Sequence, residues 1–152
     1  MTILLDTNVI LRLGDSGSPQ HRDALGAVEA LNRQGMSGVL VPQVLYEYWV
    51  VVTRPSQNNG LGMSVAAADQ AVHQWMETFR LLRDERGIFG HWHGLVRDYD
   101  VKGKNGHDAR LVAAMQRHGI VNLLTFNTAD FLRFSGIHVF SPTDILAGRL
   151  PT

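Results

Sequence analysis

Four carboxylates, Asp6, Glu47, Asp108 and Asp130, occupy positions where an α/β chain would gather side chains rather than scatter them. Asp6 ends the apolar run Ile3-Leu4-Leu5, after which the apolar spacing lengthens to that of a helix at Val9, Ile10 and Leu13. It therefore sits where a buried strand should stop, and in open α/β sheets that end is where ligands bind. Glu47 lies three residues after Val44 and four before Val51, on a helix started by Pro42 and apolar nearly all round, so the helix is expected to be largely buried. An unpartnered acid on such a face is expensive. Asp108 falls in the first turn of a helix whose Leu111, Val112 and Met115 follow at three, four and seven positions, so it projects from the side that packs on a sheet. Asp130 comes just after a third strand, Val121-Asn122-Leu123-Leu124.

Each acid also has an ordinary explanation. Asp6 can cap the next helix, Glu47 can pair with Arg54, Asp108 can favour a helix dipole, and Asn127 with Asp130 has the spacing of a cap and its third helical position. Jointly these explanations are weak, because parallel strands joined by right-handed crossovers bring their C-terminal ends to one edge, with helix starts directly behind them. Carboxylates gathered there repel one another unless a cation lies among them, and oxygen-only donors favour magnesium or manganese over zinc. Such a site suggests metal-assisted attack of water on a phosphate, which is nuclease chemistry.

The elements that must position these acids alternate between strand and helix. After a turn-rich loop from Gly14 to Pro19, Ala24, Leu25, Ala27, Val28 and Leu31 mark a helix that Gly35 should end. Gly38-Val39-Leu40-Val41 reads as the second strand, and Arg54 to Gly62 as the least structured stretch. Ser64 caps an amphipathic helix through Val65, Ala68, Val72, Trp75, Met76, Phe79 and Leu82, with Trp75 and Met76 filling the core. Arg80, Arg83 and Arg86 read as a solvated helix face before a phosphate patch. His91 and His93 are two apart and point to different sides of a helix, which discounts a metal pair. Gly119 closes the Asp108 helix, Ile137-His138-Val139-Phe140 is a fourth strand, and Ser141-Pro142-Thr143-Asp144 opens a short last helix with Asp144 in its cap.

Length and composition set the bounds. The chain has 152 residues, which suits one domain over 1–152 with a sizeable core. Lysines plus arginines equal aspartates plus glutamates at 14 each, so a nucleic acid would have to be gripped by a local patch. The basic, glycine-punctuated loop with Lys102 and Lys104, together with Arg110, flanks Asp108 and is the candidate RNA contact. The absence of cysteine excludes a disulfide framework and a thiolate zinc site and fits a reducing cytoplasm. No charged segment followed by an apolar one opens the chain, and no apolar run approaches the ~20 residues that span a bilayer. The expectation is a soluble cytoplasmic protein without a membrane partner.

Four stretches together resemble PIN-domain ribonucleases: Leu5-Asp6-Thr7-Asn8-Val9, Val41-Pro42-Gln43-Val44-Leu45-Tyr46-Glu47, His107-Asp108-Ala109, and Leu124-Thr125-Phe126-Asn127-Thr128-Ala129-Asp130-Phe131. The likeness is nearest to the stand-alone VapC-type toxins of toxin-antitoxin pairs, and it covers nearly the whole chain. It implies a three-layer α/β/α sandwich with a central, mainly parallel sheet of about five strands. It further implies Mg²⁺ or Mn²⁺ held by Asp6, Asp108 and Asp130, with Glu47 binding through water or orienting the nucleophile, and a homodimer. Asn8, Thr125 and Asn127 are then the polar groups that hold the acids in place. Asn127 stands where many relatives carry Asp, so either Asp130 substitutes as the fourth acid or that side of the site is weakened. A small antitoxin would cover the acidic crevice, most simply by inserting an arginine or lysine.

Two other classes compete with this reading. A phosphotransfer or dehalogenase-like α/β domain also places an aspartate nucleophile at a strand end, but Asn8 two positions on and the lack of a lysine after a later strand count against it. A PIN-fold scaffold or RNA adaptor that does not cut is the other, and the presence of all four acids argues against that.

Overall fold

The structure, a computed structural model, describes residues 1–152. The elements run β1 (Thr2–Leu5), α1 (Thr7–Leu13), α2 (His21–Arg33), β2 (Ser37–Leu40), α3 (Pro42–Thr53), α4 (Val65–Thr78), β3 (Arg80–Leu81), α5 (Gly87–Asp98), α6 (Asn105–His118), β4 (Asn122–Leu124), β5 (His138–Phe140) and α7 (Pro142–Leu146). The five strands form one all-parallel sheet in the order β3-β2-β1-β4-β5, and the seven helices flank it as an α/β sandwich.

β1 is the centre of the sheet because it can be. Ile3, Leu4 and Leu5 are fully buried, as a strand covered on both faces requires. Its two neighbours flank it on opposite sides, although both follow it in the sequence: Ile3 pairs with Gly38 of β2, and Leu5 pairs with Leu124 of β4. The strand order therefore reverses between β1 and β4, and a crevice opens beyond their carboxyl ends. Asp6 and Thr125 are the next residues on those two strands.

The helices follow their start and stop signals. Pro42 takes the first turn of α3, Ser64 accepts from the Ala67 amide to cap α4, Gly119 closes α6 in the left-handed conformation at φ 68°, and Ser141 with Asp144 forms a reciprocal capping box on α7. Trp75 joins the core edge through Tyr48 and Phe79, with ring centroids 6.0 and 6.2 Å away, whereas Met76 is largely exposed.

Three expectations need correction. The α4 helix stops at Thr78; Phe79 is already extended, and Arg80-Leu81 adds to β2 as an edge strand. Arg80, Arg83 and Arg86 therefore share no helix face. The α3 helix is not buried all round: Val44, Leu45, Tyr48 and Val52 face the core, but Tyr46 and Val50 are 60% and 55% exposed. The stretch from Arg54 to Gly62 is tied to α3, with the amides of Leu61 and Met63 donating to the carbonyls of Val51 and Val52 at 3.2 and 2.8 Å.

Candidate active site

Asp6 is placed by the sheet. Its N–H donates to the Leu124 carbonyl at 3.0 Å, one step beyond the last strand pair, and its own carbonyl accepts from Val9 to begin α1. The residue is 9% exposed, and both carboxylate oxygens are engaged. Oδ1 accepts the Thr7 amide at 2.7 Å, as a capping aspartate should, while Oδ2 accepts the Thr125 hydroxyl at 2.7 Å and the Asn8 amide at 3.3 Å. The Thr125 hydroxyl itself accepts from the Asn8 side chain at 3.1 Å and from the Asn127 N–H at 3.0 Å, which directs its one proton at Asp6. Asn8 Oδ1 accepts the Phe126 amide at 3.0 Å and so fixes the orientation of that side chain. Asn8 and Thr125 thus touch Asp6 directly. Asn127 acts through its main chain, and its side chain is exposed and caps nothing.

Glu47 is half-buried and pairs with neither Arg54 nor any other cation. Oε2 accepts the Thr7 hydroxyl at 2.7 Å and Oε1 accepts the Gln43 amide at 2.9 Å. Gln43, four residues earlier on α3, is buried and also donates to the His107 carbonyl at 2.8 Å, while its own oxygen accepts from Arg110 at 3.2 Å. Trp92 Nε1 donates to the Gly106 carbonyl at 2.8 Å. Two consecutive carbonyls just before Asp108 are therefore caught by side chains of α3 and α5, which anchors the first turn of α6 against both helices.

Asp108 lies in that first turn, half-buried, with Ala109 and Val112 packed beside it in the core. Asp130 is exposed, on the one-turn 3₁₀ helix Thr128–Phe131 that follows β4. Electrostatics ties the four together. Burial, opposed by the Thr125 and Thr7 hydrogen bonds and reinforced by the charges of Glu47 and Asp130, raises the Asp6 carboxyl from 3.8 to about 6. Burial first, then the charges of Asp130, Asp6 and Glu47, raises Asp108 from 3.8 to about 6, with Arg133 opposing. None of the four acids takes part in an ion pair.

As the side chains stand, no group of three or more carboxylates and imidazoles is gathered tightly enough to hold one ion. The donor set itself suits a hard divalent cation: every donor is an oxygen, none of the acids is in an ion pair, and two of them are raised to about 6. Beside the acids runs a cleft of about 560 Å³ between α3 and α6, lined by Thr7, Gln43, Glu47, Arg54, His107 and Arg110 among others. Of the three expected basic contacts, Arg110 lines this cleft and also pairs with Asp84 at 3.2 Å. Lys102 is exposed and 3.4 Å from Asp100, and Lys104 is exposed at the entrance to α6. Thr7 and Gln43 were not picked out from sequence. An amide four residues before an acid on an apolar helix was the available signal for Gln43.

No curated protein sequence matches the chain significantly. Among solved structures it is similar to a toxin-antitoxin complex from Klebsiella pneumoniae at 24% identity and TM-score 0.63, over 92% of this chain and 97% of that one. It is similar to VapBC2 from Rickettsia felis, solved bound to a DNA fragment from its promoter, at 13% identity and TM-score 0.68, over 93% and 98% of the two chains. It is also similar to VapC20 of Mycobacterium tuberculosis, a sarcin-ricin loop cleaving toxin, at 23% identity and TM-score 0.57, over 80% and 86%. The family pattern described as PIN domain matches residues 3–137, a span that holds Asp6, Glu47, Asp108 and Asp130 together with the strands and helices that position them. The chain belongs to the PIN domain family.

Proposed function

We propose that residues 1–152 act as a single PIN domain that hydrolyses RNA phosphodiester bonds with Mg²⁺ or Mn²⁺, as the cytoplasmic toxin of a toxin-antitoxin pair. The observation that carries this reading is the set of four carboxylates that feel one another's charge with none in an ion pair, two of them raised to about 6. In the proposal Asp6, Asp108 and Asp130 would hold the ion, and Glu47 would bind it through water or orient the nucleophile. A bound divalent ion would make hydroxide available near neutral pH and stabilise charge developing on the phosphate.

The residues of the chain do the rest. Thr125, Asn8 and the Thr7 amide hold Asp6 in one orientation, so little reorganisation is needed when the site closes on its substrate. Thr7 and Gln43 leave Glu47 no freedom to swing away, which suits a carboxylate that orients the attacking water. As water attacks phosphorus, the bond to the leaving oxygen breaks and that oxygen takes up a proton. Lys102, Lys104 and Arg110 contribute RNA contacts in this reading.

The partner part of the proposal rests on two supports. Two of the similar structures are described as a toxin-antitoxin complex and as VapBC2. In this chain an apolar groove lined by Leu45, Tyr46, Trp49, Val50, Val72 and Met76 adjoins the cleft. A small antitoxin could lay an apolar segment there and offer a cation to the acids. The homodimer remains part of the same proposal.

The deciding experiment is RNA cleavage by purified protein with Mg²⁺ or Mn²⁺ and with EDTA. Cleavage should stop in EDTA, and Asp6→Asn and Asp108→Asn should each lose most of it. Activity that survives EDTA, or that both variants retain, defeats the reading.

A further inference from the structure

We propose that Arg54 is an RNA phosphate-binding residue at the far end of the Glu47 cleft, held there by the loop that follows it; this rests on the ribonuclease reading above. Arg54 follows Glu47 by seven positions at the end of α3, so the two share a helix face about 10 Å apart along the axis. Both line the same cleft. Arg110, the other arginine there, is already engaged with Asp84 and Gln43. Arg54 is in no ion pair, so its charge is not shared with a carboxylate of the protein. A guanidinium presents a planar fork that matches a phosphodiester's two free oxygens, and a strand whose phosphate lies at the acids must pass its next phosphates along this cleft or away from it.

The backbone of Arg54 is fixed with unusual care for a surface arginine. Pro55 forces the residue before it out of the helical region, and Arg54 is extended at φ −62°, ψ 139°, so α3 ends there. The chain then turns through Ser56–Asn58 and a left-handed Asn59 at φ 61°. It returns so close that a Cβ on Gly60 would lie 1.9 Å from the Arg54 carbonyl oxygen, a contact only glycine permits. That same oxygen accepts the Gly62 amide at 2.9 Å, and the Gly60 amide donates to Pro55 at 3.1 Å. The loop thereby satisfies the last carbonyls of α3 and also holds the Arg54 backbone in one conformation at the edge of the cleft.

The test measures binding and cleavage separately. Binding of a short fluorescein-labelled single-stranded oligoribonucleotide is followed by anisotropy in EDTA across a range of salt. Arg54→Gln should weaken binding by about tenfold, the worth of one charged hydrogen bond, and lower the slope of log K against log salt by about 0.7, the contribution of one phosphate contact on a single strand. Arg54→Lys should restore the slope and only part of the affinity. Gly60→Ala keeps the charge and displaces it, so it should lose affinity with a melting curve still cooperative. If Gly60→Ala does not fold, Arg54→Gln decides alone, since that side chain supports no ion pair in the fold. Unchanged affinity and slope in Arg54→Gln, with wild type cutting RNA in Mg²⁺, overturns the proposal and leaves the ribonuclease reading standing. Weakened binding in Arg54→Gln, with a wild type that cuts no RNA, upholds the anion site and defeats the ribonuclease reading.

Discussion

The hydroxyl of Thr7 donates to Glu47 Oε2 at 2.7 Å while the amide of the same residue donates to Asp6 Oδ1 at 2.7 Å. One residue at the start of α1 therefore spaces two acids that lie 41 positions apart in the chain. The two contacts use different parts of Thr7, so they can be separated.

Thr7→Val keeps the shape and the amide and removes only the hydroxyl. Asp6 should stay capped, and Glu47 should keep Gln43 alone. Cleavage rate should fall by about ten- to a hundredfold, with most of the loss in kcat, as expected when a positioned group loses its support. The melting temperature should change little. A kinetic comparison of wild type, Thr7→Val and Thr7→Ser checks this, because Thr7→Ser retains the donor and should stay near wild type.

Melting of the Asn variants should distinguish Asp108 from Asp6, although both carboxyls are raised to about 6. An unfolded aspartate titrates near 3.8 and the folded Asp108 near 6, so between those values the folded chain keeps a proton that the unfolded chain has lost. Stability is then full below 3.8, falls as pH rises through about 6, and stays reduced at pH 7. In EDTA near neutrality Asp108→Asn should therefore melt no lower than wild type and show a flatter profile across that window. Asp6→Asn should melt lower than Asp108→Asn, because an amide offers one acceptor oxygen where Thr7, Asn8 and Thr125 present three donors. Adding Mg²⁺ should stabilise wild type by about 2.7 kcal/mol at a hundredfold excess over Kd, and either variant much less. Parallel pH profiles, or equal metal shifts in all three proteins, would contradict this.

Asn127 holds Thr125 through its main chain and leaves its side chain exposed. Asn127→Asp should then preserve the Thr125 contact and add a carboxylate beside Asp130. Metal affinity read from melting shifts should tighten by about tenfold, equivalent to about 1.4 kcal/mol, and the metal-free protein should lose stability from the added repulsion. An unchanged metal shift would remove position 127 from the electrostatics of the crevice.

Much of this architecture was legible because burial leaves a plain record. Asp6 stood out as the acid after Ile3-Leu4-Leu5, and all three are fully buried in the central strand. Asp108 was read as inward-facing from Leu111 and Val112, and both are buried. The edge strand β3 was hidden because two residues carry no alternation, and Phe79 and Leu82 continue the helical spacing of α4 past its true end. Gln43 was hidden because polar residues are common in a first turn, and only the fold brings the His107 carbonyl to it. The Arg54 loop read as unstructured because its Asn and Gly residues mark flexible and tightly folded turns alike. Whether Gly60 is there for freedom or for closeness is a matter of what it touches.

The hydrogen bond from Thr125 to Asp6 joins residues 119 positions apart, and it can form only when β4 lies alongside β1. The Thr7 amide and the Asn8 side chain reach Asp6 locally, but the Thr125 hydroxyl reaches it only once β1 and β4 are paired. Chains cut short by early termination or by proteolysis before β4 would carry Asp6, Glu47 and Asp108 without the lock that orders them.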